Sequence, residues 1–107
     1  MSSFTVYVGN TNLLEIFRLK SAIDNSYIND ATVTVTVKDS LGVEVTGQSW
    51  PTAVDYVSGS DGDYYCILDE NLDLTAGESY IAEIDADGGV NRFGHWEVTF
   101  VPIIRNR

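Results

Sequence analysis

The chain carries one histidine and one cysteine, and neither has the neighbours that would make it a reagent. His95 stands beside Trp96 in an alternating segment. A Ser-His-Asp arrangement needs three side chains in hydrogen-bond contact, and no nucleophile elbow or comparable strained turn marks a serine for that role. The expectation is a histidine on a surface or interface. Cys66 shares the two-residue spacing of Tyr64 and Leu68, which puts it on the inward face of a strand. There a thiol acts as a small apolar group and its thiolate is disfavoured. A single cysteine closes no disulfide within the chain, which fits a reducing site of synthesis.

Carboxylates are the abundant chemistry, sixteen of them, many at turns. Asp61-Gly62-Asp63 and Asp85-Ala86-Asp87-Gly88-Gly89 could each offer two oxygen ligands to calcium. Neither continues into the spaced ligands and terminal glutamate of an EF-hand loop, and Asp with Gly is also the ordinary composition of a β-turn. Paired acids for glycoside hydrolysis would need a cleft at a set separation, which acids on solvent loops do not supply. No catalytic residue, metal ligand or cofactor is therefore assigned, and a non-enzymatic protein is expected. The rings offer a better surface. Among Trp50, Tyr56, Tyr64, Tyr65, Tyr80 and Trp96, alternation leaves Trp50 and Tyr65 facing outward, where they could stack on a sugar or anchor a protein partner. A carbohydrate-binding module is the alternative function. Against it, Trp50 precedes Pro51 and could fold back over the end of the domain.

The formal charge of −10 repels nucleic acid and anionic membrane surfaces, so neither is expected as a partner. Arg18 and Lys20 lie together, and Arg105 and Arg107 close the sequence. A basic tail on an acidic body suits docking onto a like neighbour. The start, Met1-Ser2-Ser3-Phe4, lacks the basic region and long apolar stretch of a signal peptide or membrane span, so export by that route is not expected. At 107 residues the chain is read as one domain, 1–107, large enough for its own core.

The elements that must position these residues are short alternating runs between turn signals, the pattern of an antiparallel β protein. Residues 4–8 and 13–20 read as the first two strands, followed by an irregular crossing over 21–30. Residues 31–38 form the clearest strand: Val33, Val35 and Val37 point one way, Thr32, Thr34 and Thr36 the other, and β-branching favours the pleat on both faces. Asp39-Ser40-Leu41-Gly42 has the residues of a turn and predicts a hairpin return over 43–46. Strands at 53–57, 63–68, 80–86 and 95–101 complete seven or eight in all, an immunoglobulin-like antiparallel β-sandwich. Leu74-Thr75-Ala76-Gly77-Glu78-Ser79-Tyr80 has the spacing of a tyrosine corner, with Leu74, Gly77 and Tyr80 as its structural residues. The run resembles the Leu-x-Pro-Gly-x-x-Tyr stretch of fibronectin type III domains, with Ala76 in place of proline. Tyr64-Tyr65-Cys66 resembles the surroundings of an antibody cysteine, but it precedes the corner and is out of register.

Nearly the whole chain also resembles, in pattern, the small immunoglobulin-like modules of tailed-bacteriophage virions, such as the N-terminal domains of baseplate upper proteins and short head or tail structural proteins. The resemblance rests on Tyr7-Val8-Gly9-Asn10-Thr11, the strand ending in Arg18-Leu19, the Thr/Val run to Lys38-Asp39, Gly42, Asp61-Gly62, the segment Leu74 to Tyr80 and a final Asp-Gly hairpin. It implies an auxiliary structural protein at the capsid surface or the head-to-tail or baseplate region, made in the host cytoplasm and residing in the virion. Its implied partners are other virion proteins and copies of itself. Edge strands can be augmented by another chain, so docking arms are expected at 1–12 and 101–107. Phe4, Val6, Val8, Ile103, Ile104, Arg105 and Arg107 are the candidate interface residues.

Overall fold

A computed structural model of the chain describes residues 5–89 and 92–104. The described residues form six strands and no helix: β1 (Asn12–Ile16), β2 (Thr32–Asp39), β3 (Thr52–Tyr56), β4 (Tyr64–Leu68), β5 (Tyr80–Asp87) and β6 (Phe93–Phe100). All neighbours are antiparallel, in the order β1-β4-β3-β2-β5-β6. The sheet curls about a core supplied by one face of each strand. In β2 the three valines are buried while Thr34 and Thr36 lie half-buried on the other face. Tyr64, Cys66 and Leu68 of β4 are buried with Tyr80, Ala82, Ile84 and Ala86 of β5, as period-two patterning requires of a sheet with one wet face.

The curl has an identifiable seat in β3. Its first half, Thr52 to Val54, pairs with β2, whereas Asp55 and Tyr56 pair with β4. One five-residue strand thus belongs to both sides of the fold.

Among the described residues six strands stand where seven or eight are expected, for local reasons. The strand beginning at Leu13 stops at Ile16, because Arg18 takes a positive φ of 56° and its N–H goes to the Asp63 carboxylate at 2.9 Å. The expected return over 43–46 contributes one bridge, Lys38 with Glu44, and one bond, Val45 N–H to the Val37 carbonyl. The Trp50 indole N–H takes the Val45 carbonyl at 2.6 Å, and Gly47, at a φ of 109°, turns the chain away. Residues 6–8 make a parallel clasp with Ile103: Val8 N–H donates to the Ile103 carbonyl and Ile103 N–H to the Val6 carbonyl, both at 3.0 Å.

Candidate functional site

His95 and Asp85 are directly opposed on β6 and β5, so the pairing register alone brings them together. His95 Nδ1 lies 2.5 Å from Asp85 Oδ1, and Nε2 lies 3.7 Å from Glu97. The hydrogen bond to Asp85 holds the imidazole above its usual pKa, with the surrounding carboxylates adding to the effect. Burial pushes the Cys66 thiol up to about 11, and Asp55 adds to it. The two acidic turns use their oxygens on the backbone: Asp63 accepts from Arg18 N–H, and Asp87 accepts from Gly89 N–H at 3.0 Å. Among the described residues, no group of three or more His, Cys, Asp or Glu side chains is placed to hold a metal.

The structure places Leu74 and Tyr80 in the core and gives Gly77 a φ of 87°. The Tyr80 hydroxyl accepts from Thr75 N–H at 2.8 Å, its ring stacks on Phe100 at 5.8 Å, and Gly77 N–H reaches the Pro102 carbonyl. A second tyrosine carries a longer tie that the spacing did not reveal. The Tyr64 hydroxyl donates to the Ile28 carbonyl at 2.7 Å and accepts from Ala31 N–H at 3.1 Å, fastening the irregular crossing to β4.

Of the expected interface residues, Phe4, Arg105 and Arg107 lie outside the described residues. Val6 is withdrawn from that role: its side chain is in the core, because its backbone is held by Ile103 and its neighbour Tyr7 is clamped by Asn12. Val8 also packs against the core. Ile103 and Ile104 stay exposed, the latter 71%. The expected arm over 101–107 is in part structural, since Pro102 is fully buried and accepts from Gly77 N–H. Trp50 is likewise corrected. Its indole N–H bonds the Val45 carbonyl and its ring packs against the core, so it is no outward stacking platform. Tyr65, 42% exposed between Glu15 and Asp55, does face outward.

Two outward faces remain. On β1 and β4, Leu13 opposes Ile67, Glu15 opposes Tyr65, and Phe17 follows at 66% exposure. The spacing missed this row, although the run Leu13-Leu14-Glu15-Ile16-Phe17, apolar on both faces, carried the signal. On β2, β5 and β6, the outward rows are Thr32-Asp87-Phe93, Thr34-Asp85-His95 and Thr36-Glu83-Glu97. The first two rows line an open trough of about 400 Å³. Lys38 pairs with Glu83 at 3.1 Å at the border of this face.

Compared with known proteins, the chain matches no family model, no curated protein and no solved structure.

Proposed function

We propose that residues 1–107 form a single immunoglobulin-like β-sandwich domain that acts without catalysis, as an auxiliary structural protein of a tailed-phage virion. It packs at the capsid surface or the head-to-tail or baseplate region against other virion proteins and copies of itself. For the fold, support comes from the pairing order. An immunoglobulin-like sandwich sets strands B-E-D on one side and C-F-G on the other, the order of β1-β4-β3 and β2-β5-β6. Tyr80 opens the strand in the F position and bonds back to Thr75.

The observation that carries the function is apolar side chain left in water on structured backbone. Leu13, Phe17 and Ile67 on one face, with Val101, Ile103 and Ile104 past β6, are each more than two-fifths exposed. Large outward apolar groups on a sheet mark contact with another protein surface. The sugar-binding alternative has only Tyr65 in its favour, since Trp50 turns inward.

Light scattering of the intact chain at rising concentration tests the reading: a discrete oligomer is expected, and a monomer throughout overturns self-assembly. Peptide mass spectrometry of particles from the phage encoding the chain tests its place, with a fixed ratio to the major virion protein expected. Particles that lack it overturn the virion assignment.

A further inference from the structure

We infer that the acidic outer face of β2, β5 and β6 is the docking site for the 104–107 segment of a second copy, with Arg105 and Arg107 set against Asp85 and Asp87. The inference rests on the self-assembly proposed above and names its contact. The face carries Glu83, Asp85, Asp87 and Glu97, with Phe93, 72% exposed, at one end of the trough. Lys38 answers Glu83, and the single imidazole of His95 is shared by Asp85 and Glu97. The surface is therefore negative beside an exposed ring, and its complement is a cationic segment with an apolar residue next to it.

Of the six basic residues in the sequence, three are engaged on their own copy: Lys20 lies 5.1 Å over the Tyr27 ring, Lys38 pairs with Glu83 and Arg92 with Asp30 at 3.4 Å. Arg105 and Arg107 follow the exposed Ile103 and Ile104 and are spaced by two residues, as Asp85 and Asp87 are. In extended chain that spacing is about 6.5–7 Å on one face, so two cations and two carboxylates fall into register. Arg18 has Lys20 at the same spacing, but Lys20 is already engaged over the Tyr27 ring, and the Arg18 backbone turns to a positive φ of 56°, so the two do not present a matching pair.

The occupant must come from another copy. Phe100 opposes Tyr80 at the far end of β5 from Asp85 and Asp87, and the chain then runs onward, with the Pro102 carbonyl bound to Gly77 N–H and Ile103 to residues 6–8. Arg107 lies three residues past Ile104, a reach of at most about 10 Å. His95 lies five residues, about 17 Å, back along β6 from Phe100. The contact is head-to-tail, a geometry that builds rings or open chains of subunits.

Charge exchange on the intact chain tests this by light scattering at low and high salt, with far-UV circular dichroism checking the fold of each variant. Arg105→Glu with Arg107→Glu, and separately Asp85→Lys with Asp87→Lys, should each weaken self-association by at least about tenfold, because like charges then face each other. Combining all four changes should restore it. Oligomers that persist unchanged in both double variants, or no rescue in the combination, overturn this contact while leaving self-assembly standing. An intact chain that stays monomeric overturns both.

Discussion

Replacing Tyr64 by Phe isolates the tie that holds the irregular crossing to the sheet. The ring is 1% exposed and packs edge-on against Tyr56 at 5.6 Å, and Phe fills the same volume, so no cavity opens. What goes is the hydroxyl and its two backbone partners, 33 and 36 residues away in sequence. Each bond is worth about 1 kcal/mol net, and a carbonyl left dry costs about 1–3 kcal/mol more. That extra cost falls on Ile28, which is buried, while Ala31 is half-buried and can reach water. The expected loss is about 3–5 kcal/mol, or a drop in melting midpoint of about 13–22 °C for a domain of this size. Tyr80→Phe is the internal reference. It removes one bond, to the N–H of the exposed Thr75, and should cost about 1 kcal/mol. Urea titrations followed by far-UV circular dichroism, with unchanged slopes, give both numbers. Burial also raises the Tyr64 pKa. The unfolded chain therefore ionises first, and the native state loses stability as pH climbs above about 10, a loss that the Tyr64→Phe substitution should reduce. A Tyr64→Phe protein no less stable than Tyr80→Phe would refute the reasoning.

Three further outcomes follow from the geometry. Gly47→Ala should cost more than about 2 kcal/mol by urea titration, because at a φ of 109° its new Cβ would lie 2.2 Å from the Asn71 carbonyl oxygen; a change inside about 0.5 kcal/mol would contradict the close approach. Cys66, pushed up to about 11, should alkylate about a hundredfold more slowly in the native protein than in urea at pH 8, and equal rates would show it accessible. His95 should titrate by NMR above its ordinary midpoint of about 6.5 and return toward it in Asp85→Asn, so the pair's stabilisation is present below that pH and fades as pH rises through the native midpoint. The same midpoint in both proteins would remove Asp85 as the cause.

Alternation made the faces of β2, β4 and β5 legible: the valines of one and the Tyr-x-Cys-x-Leu of another are buried where their spacing puts them. Period-two patterning tells which way a side chain points and nothing about which strand lies alongside. For that reason the passage of β3 from β2 to β4 had no signature in Ala53, Val54 and Asp55. The shortfall at 43–46 was hidden too, since it depends on an indole N–H five residues away claiming the Val45 carbonyl. The apolar termini were legible as apolar, but Val6 and Ile104 look alike in sequence. Only the parallel clasp separates the buried one from the exposed one.

That clasp has a mechanical meaning. Residues 6–8 and 103 run in the same direction, so tension drawing the two ends of the domain apart acts along the strands and across both hydrogen bonds at once. The bonds share the load in shear and do not peel open one after another. Asn12 anchors one side through Tyr7, and the Gly77 bond to Pro102 anchors the other. Pulled through its ends, the domain should yield at a higher force than when gripped between an end and Leu41 at the hairpin tip, a comparison that single-molecule force measurement makes directly. A domain fastened in this way carries tension between its ends as a tie.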